Sequence, residues 1–310
     1  MAQTVTKMTT SDSQSRLAAG LYLVATPIGN LGDITLRALE VLRNVDLIAC
    51  EDTRQTQKLL NHFQIEKKTV SYHQHNERSR ATELIQSIKA GTTIALVSDA
   101  GTPGVSDPGS WLVREAIAAG VQIFPIPGAN AAVSALIASG LPAGEFEFLG
   151  FLPEKAGARR TKLENLGSHP SETARTLIFY EAPHRLLDTL ADLELIFGPQ
   201  LRVVVAREVT KMHEEFLRGS VSDVRSELAS RDRIRGEITL LIEVPARNAS
   251  GGGESGAPDV ARESIAARVA RIQAEGGVDE KEALKRLARE LGQSKSEVYR
   301  ELQRERARKR

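Results

Sequence analysis

Thr93-Ile94-Ala95-Leu96-Val97-Ser98-Asp99-Ala100-Gly101-Thr102-Pro103-Gly104-Val105-Ser106-Asp107-Pro108-Gly109 is the stretch on which the fold is read. Its first five residues form an apolar run of the kind that makes a buried strand. The segment after it, Ser110 to Ile117, has helical spacing. Asp107 reads as the N-cap of that helix, with Pro108 in its first turn, where a missing N–H leaves no hydrogen bond unmade. The loop between is rich in glycine, carries two carboxylates and lies at the carboxyl end of a strand. It is either an ordinary strand-to-helix connection or a ligand-binding edge of an open α/β sheet.

The neighbouring sequence repeats the unit. Leu21–Ala25 reads as a strand, Thr26-Pro27-Ile28-Gly29-Asn30-Leu31-Gly32-Asp33 as a turn, and Ile34 to Asn44 as a helix. Strands at 46–50 and 69–73 alternate with helices at 53–63 and 80–90, and a strand at 121–126 leads through Pro127-Gly128-Ala129-Asn130 into an Ala-rich helix. Such alternation predicts a parallel sheet covered on both faces. From about Glu145 strands outnumber helices, at 146–152, 176–180, 202–206, 215–220 and 237–244, which predicts a mixed second sheet. Within this block the spacing starts a helix at Lys162. Asn248 to Gly256 has the composition of a flexible linker. Beyond it, helices from Asp259 and Asp279 and a Ser294-Lys295-Ser296-Glu297 capping box resemble a helix-turn-helix. The expected domains are a disordered leader 1–20, α/β domains 21–142 and 143–246, a linker 247–258, and a helical module 259–310.

Composition limits the function. The 310 residues carry a net charge of +1, so nucleic-acid binding must use local patches rather than a global field. A single cysteine, Cys50, permits no internal disulfide and fits a reducing cytoplasm. Met1 to Ser15 lacks the apolar core of a secretory signal, and no apolar run is long enough to span a bilayer. The first loop has neither Gly-Lys-Ser/Thr nor G-x-G-x-x-G, which argues against a nucleotide-phosphate ligand. The histidines lack metal-ligand spacing, so no metal is expected, and no nucleophile elbow is present.

Charged clusters follow three strands. In Cys50-Glu51-Asp52-Thr53-Arg54, Asp52 reads as a helix cap, while Glu51 and Arg54 remain open for catalysis or polar contact. In Tyr180-Glu181-Ala182-Pro183-His184-Arg185, Glu181 or His184 can serve as a general base near neutral pH. Ala206-Arg207-Glu208 opens the third.

The loops at Thr26–Asp33, Cys50–Arg54, Ser98–Gly109, Pro127–Asn130 and Tyr180–Arg185 occur in an order and spacing that resemble the tetrapyrrole methylase superfamily. More narrowly, they resemble its small-subunit (16S) ribosomal RNA methyltransferases, which methylate the ribose 2′-oxygen of a decoding-centre cytidine. The resemblance covers Leu21 to Val244, and the C-terminal helices are similar to that group's appended module. It implies two α/β domains, a homodimer, and S-adenosyl-L-methionine in the cleft between the domains. It places the cofactor against Pro27, Asp99, Thr102, Asn130, Ala131, Tyr180, Ala206, Gly236 and Glu237. It implies small-subunit ribosomal RNA or the assembled subunit as partner, with no membrane.

Methyl transfer to a ribose hydroxyl calls for a proton acceptor. Glu181, oriented by His184 or Arg185, is the first candidate and Glu51 the second. Arg54, the cluster Lys155, Arg159, Arg160 and Lys162, and the tail residues Arg304, Arg306 and Arg308 are the expected RNA contacts. Two other readings stand beside this one: a methylase of a tetrapyrrole or other small substrate, and a non-catalytic nucleic-acid-binding protein.

Overall fold

Strand residues of the first block alternate between two apolar environments, and the reason is visible in a computed structural model of the chain. It describes residues 17–168, 172–246, 265–290, 295, 298–300 and 302–303. The strands β1 (Gly20–Val24), β2 (Leu47–Cys50), β3 (Thr69–Ser71), β4 (Thr93–Val97) and β5 (Ile123–Ile126) form one wholly parallel sheet in the order β3-β2-β4-β1-β5. Tyr22 and Val24 pack with helices α1 (Leu36–Asn44) and α2 (Thr53–His62) on one face. Leu21, Ile94 and Leu96 pack with α3 (Glu77–Lys89) and α4 (Ser110–Ala118) on the other. Period-two burial of both faces is what a parallel sheet requires.

The order of strands creates a switch point. From β1 the chain crosses β4 to reach β2, whereas from β4 it crosses β1 to reach β5. The two loops therefore leave neighbouring strands in opposite directions, and a crevice opens at their carboxyl ends. The loops are tied by a two-residue bridge, with Thr26 N–H donating to Gly101 O at 2.9 Å and Gly101 N–H donating to Thr26 O at 3.1 Å.

Helix α5 (Ala131–Ser139) carries the chain to the second sheet. This sheet has the order β6-β7-β10-β8-β9, from β6 (Phe146–Phe151), β7 (Arg175–Glu181), β8 (Arg202–Arg207), β9 (Glu215–Ser220) and β10 (Ile238–Val244). Only β6 and β7 run parallel. Leu177, Phe179, Val203, Val205 and Leu240 face α6 (Ala156–Gly167), α7 (Leu186–Phe197) and α8 (Val221–Ala229). Ile178, Val204, Ala206 and Leu241 face the other way, onto Ala132, Ala135 and Leu136 of α5 and onto Ile28 of the first block. The second sheet thus shares a hydrophobic cluster with α5 and with loops of the first block, and both sheets lie within one compact unit, Met1–Ala249, with the expected 142/143 boundary inside it. The second unit, Ser250–Arg310, contains α9 (Ile265–Gly276) and α10 (Glu280–Glu290). Asp279 caps α10 by accepting from Glu282 N–H at 2.8 Å, and Val269, Leu284, Leu287, Val298 and Leu302 share a core. Residues 1–16 of the expected leader 1–20, the linker, the Asp259 and Ser294 helix starts, and Arg304, Arg306 and Arg308 lie outside the described residues, whereas Gly20 at the end of that leader opens β1.

Two local expectations are corrected. Helix α6 starts at Ala156, not near Lys162, so Lys155 is its N-cap residue and Arg159, Arg160 and Lys162 lie within it. Arg159 points into the protein: only 4% exposed, its Nε donates to Asp192 Oδ2 of α7 at 2.7 Å, while Arg160 takes Oδ1 at 2.6 Å. It is withdrawn from the RNA-contacting set. Breaking a buried ion pair strands a charge at a cost of about 3–5 kcal/mol, and Arg160 remains to offset part of it. Arg159→Ala is therefore expected to lower unfolding free energy by about 3 kcal/mol, read as a shifted urea midpoint at constant m-value. A shift below about 1 kcal/mol would put Arg159 back on the surface.

Candidate active site

The crevice at the switch point continues into the gap between the sheets as a cleft of about 360 Å³. The first block supplies Ile28 from the β1 loop, Ala100 to Asp107 of the β4 loop in large part, and Asn130 and Ala131 at the start of α5. The second supplies Phe151, Tyr180 to Pro183, Val209, and Gly236 to Thr239. Most of these groups are apolar or small. None of the lining residues is Lys, Arg or His, whereas Asp107, Glu181 and Glu237 are all carboxylates.

Each polar group in the wall has a physical reason for its place. Asn130 caps α5, its Oδ1 accepting from Val133 N–H at 3.1 Å. Its neighbour Thr102 donates from Oγ1 to Ala129 O at 3.3 Å, pinning the β4 loop to the start of α5. Tyr180 stands on β7 between the edges of Phe148 and Phe151. Burial pushes its phenol pKa up, opposed by a hydrogen bond with the Ala132 backbone. Glu237 shares Lys211 with Glu208, at 3.0 and 2.8 Å from its Nζ. The Lys211 stem lies across Gly29, where any Cβ would fall 2.3 Å from Lys211 Cγ; with φ at +144° the position demands glycine.

Six of the expected cofactor positions line the cleft: Thr102, Asn130, Ala131, Tyr180, Gly236 and Glu237. Three do not. Pro27 is buried and Ile28 takes its place in the wall; Ala206 is in the core beneath, and Val209 lines instead. Asp99 stands outside the wall, exposed, its Oδ1 accepting from Asp52 N–H at 3.0 Å.

The proposed bases fare differently. Glu181 lines the cleft, but its carboxylate is fixed by its surroundings. Oε1 accepts from Ala182 N–H at 2.8 Å, Oε2 accepts from Thr189 Oγ1 at 2.7 Å, and Arg185 Nε lies 3.3 Å from Oε1. With a side-chain exposure of 0% it is a buttress joining β7 to α7. Arg185 is held in turn by Leu152 O at 2.7 Å, and His184 is exposed and outside the wall. Glu51 is half-buried and outside the wall, its carboxyl pKa raised by burial and by Asp99, with His73 opposing. Arg54 is exposed and paired with Asp52 at 2.8 Å, and Asp52 caps α2 as expected.

Asp107 is the main correction. It does not cap α4: the N-cap position is Gly109, with φ at +144° and no side-chain bond, and the helix begins at Ser110. Ser106 just before it adopts φ of +61°, costly for a residue with a Cβ, and Asp107 enters the cleft wall. Burial and the charges of Glu51 and Asp99 push its pKa up to about 6, with the Ser98 hydroxyl acting in the opposite direction. Because the folded-state value lies above the unfolded one, ionisation of Asp107 destabilises the fold. The penalty is absent below about pH 4 and complete above about pH 6. Asp107→Asn is therefore expected to equal wild type in stability at pH 3.5 and to exceed it at pH 7.5 in urea denaturation. A variant no more stable than wild type at the higher pH would contradict this placing of Asp107.

A group of three or more potential ligands for a metal ion does not occur among the described residues, nor is any helix there long and apolar enough to cross a membrane. The family model for tetrapyrrole (corrin/porphyrin) methylases matches residues 20–225. A protein of Halalkalibacterium halodurans named ribosomal RNA small subunit methyltransferase I is 49% identical, over 90% of this chain and 93% of its own. A protein of Synechocystis with the same name is 45% identical, over 90% and 95%. The fold resembles the crystal structure of uroporphyrin-III C-methyl transferase from Thermus thermophilus complexed with S-adenyl homocysteine. There the TM-score is 0.50 at 19% identity, covering 72% of this chain and 96% of that one. Enzymes of the matched family use S-adenosyl-L-methionine as methyl donor. The chain belongs to the tetrapyrrole (corrin/porphyrin) methylase family, in the branch of relatives named ribosomal RNA small subunit methyltransferase I.

Proposed function

We propose that the chain methylates the ribose 2′-oxygen of a decoding-centre cytidine in small-subunit ribosomal RNA, in the cytoplasm, using S-adenosyl-L-methionine held in the cleft. The observation that carries the reading is the charge of the wall: no basic side chain lines it, and of its three carboxylates Asp107 has no ion pair among the described residues. A nucleotide phosphate has nothing there to neutralise it, whereas a sulfonium cation is favoured. The relatives' names supply the substrate class, and the loop motifs supply the 2′-oxygen.

The residues fit such a donor. Ile28, Val209 and Ile238 offer an apolar slot for a purine, and Thr102, Asn130, Tyr180 and the backbone at Ala131 and Gly236 offer hydrogen bonds. When bound, the cofactor supplies an electrophilic methyl group on sulfur. The protein's task is then to align the acceptor oxygen behind that methyl and to exclude water, which can supply several kcal/mol of the barrier reduction. Phe151, half exposed at the rim beside Tyr180, is placed to stack on a nucleoside. A polycarboxylate macrocycle is repelled by the same acidic wall. An RNA needs to insert only one nucleoside and can leave its phosphates on basic surface outside.

Incubation with labelled cofactor tests the choice. Label is expected in small-subunit RNA, assembled subunits or both, and not in tetrapyrrole precursors. Label in the precursors alone would favour a small-substrate methylase, and label in none would favour a binding protein. Lys155 at the N-cap of α6 is exposed, and within the helix Arg160 is half-exposed and Lys162 partly buried with Nζ 3.4 Å from Leu149 O. Replacing all three by Gln is expected to reduce the salt slope of RNA binding by about 2, at roughly 0.7 per single-strand phosphate contact. An unchanged slope would remove α6 from the RNA path.

A further inference from the structure

We infer that Asp107 is the general base of the reaction, accepting the proton of the ribose 2′-hydroxyl as the methyl group is transferred. This rests on the proposed ribose methylation and adds the residue that makes the hydroxyl a competent nucleophile.

Four titratable side chains line the cleft: Asp107, Tyr180, Glu181 and Glu237. Glu181 is committed to Ala182 N–H, Thr189 and Arg185, and Glu237 to Lys211. A carboxylate held by a cation is a weaker base, since the partner stabilises its ionised form. Tyr180 is a poor acceptor in its neutral form, and its phenol is held neutral by burial. Asp107 differs from all three. The charged groups that face it are Glu51 at the end of β2 and Asp99 at the end of β4, both of its own sign, with the Ser98 hydroxyl beside it and Tyr180 across the cleft on β7. No cation forms an ion pair with it among the described residues. Such surroundings make the carboxylate a stronger proton acceptor than an ordinary aspartate, while leaving it ionised at neutral pH. Glu51, the other candidate, is outside the lining and acts on Asp107 through space.

The step balances. A lone pair of the 2′-oxygen forms the new C–O bond to the methyl carbon, and the C–S bond breaks with its electrons going to sulfur. The hydroxyl proton passes to an Asp107 carboxylate oxygen and thence to water, and S-adenosylhomocysteine leaves as a neutral thioether.

The test combines calorimetry with the pH dependence of methyl transfer to small-subunit RNA. Asp107→Asn is expected to bind S-adenosyl-L-methionine more weakly, because the wall loses the carboxylate that no cation neutralises, and at saturating cofactor to transfer methyl 10²–10⁴-fold more slowly at pH 7.5, the usual range for a lost general base. Wild-type kcat/KM is expected to rise tenfold per pH unit up to a break near pH 6 and then level. In Asp107→Asn the break disappears and the rate climbs with hydroxide throughout, while Asp107→Glu keeps a break and recovers part of the rate. A merely structural aspartate would leave the break in place. If wild type methylates ribose but Asp107→Asn keeps its rate or its break, the assignment of Asp107 fails alone. A slowing that vanishes once the cofactor is saturating overturns it equally, by making Asp107 a binding residue only. If wild type labels no ribose, the functional reading fails and the inference with it.

Discussion

The reciprocal pair of backbone hydrogen bonds between Thr26 and Gly101 is the joint on which the active-site geometry depends. Without it, two loops leave adjacent strands in opposite directions and nothing fixes the distance between them. With it, the β1 and β4 loops become one surface. Thr26 reinforces the joint by donating its hydroxyl to Ser98 O at 3.2 Å, and Thr102 extends it to the start of α5. Because α5 also packs on the second sheet, the same few bonds set one wall of the cleft relative to the other. A rigid cleft matters for methyl transfer, where alignment rather than covalent catalysis does most of the work.

Charge is the second constraint. Acidic groups are drawn to this edge from both blocks, and those that line it are treated in two ways. Glu181 and Glu237 are neutralised locally, by Arg185 and Lys211, whose positive charge is spent on the framework. Asp107 is left facing carboxylates. The outcome is a wall that favours a cation while retaining one strong proton acceptor, with basic residues kept outside on α6.

Much of this was legible in the sequence, and the limits are instructive. Strand periodicity and glycine-bearing loops are local signals, so both sheets, the Asp52 cap and the Asn130 loop could be read from the chain itself. Asp107-Pro108-Gly109 carries an equally local cap signal, but Gly109 turns the chain and starts the helix at Ser110. A cap preference is weaker than the pull of a loop already fixed at Thr26, Ala129 and Gly109. The inward turn of Arg159 escapes local sequence signals for a different reason: its partner Asp192 is 33 residues away on another helix, and no spacing rule reveals that. Glu181 was found as a site residue, yet its role depends on Thr189 and Arg185, one helical turn and more beyond it. Val209 and Phe151 carry no motif at all and enter the wall only through the packing of the second sheet.

If the acidic, phosphate-excluding cleft delivers a methyl group to one ribose of small-subunit RNA, that methyl has a fixed address. Mass-spectrometric mapping of that RNA after reaction tests it most directly. A single added methyl is expected on a decoding-centre cytidine, retained on the ribose fragment and blocking alkaline cleavage at that nucleotide. A methyl on the base, or an RNA that remains cleavable at every position, would contradict it.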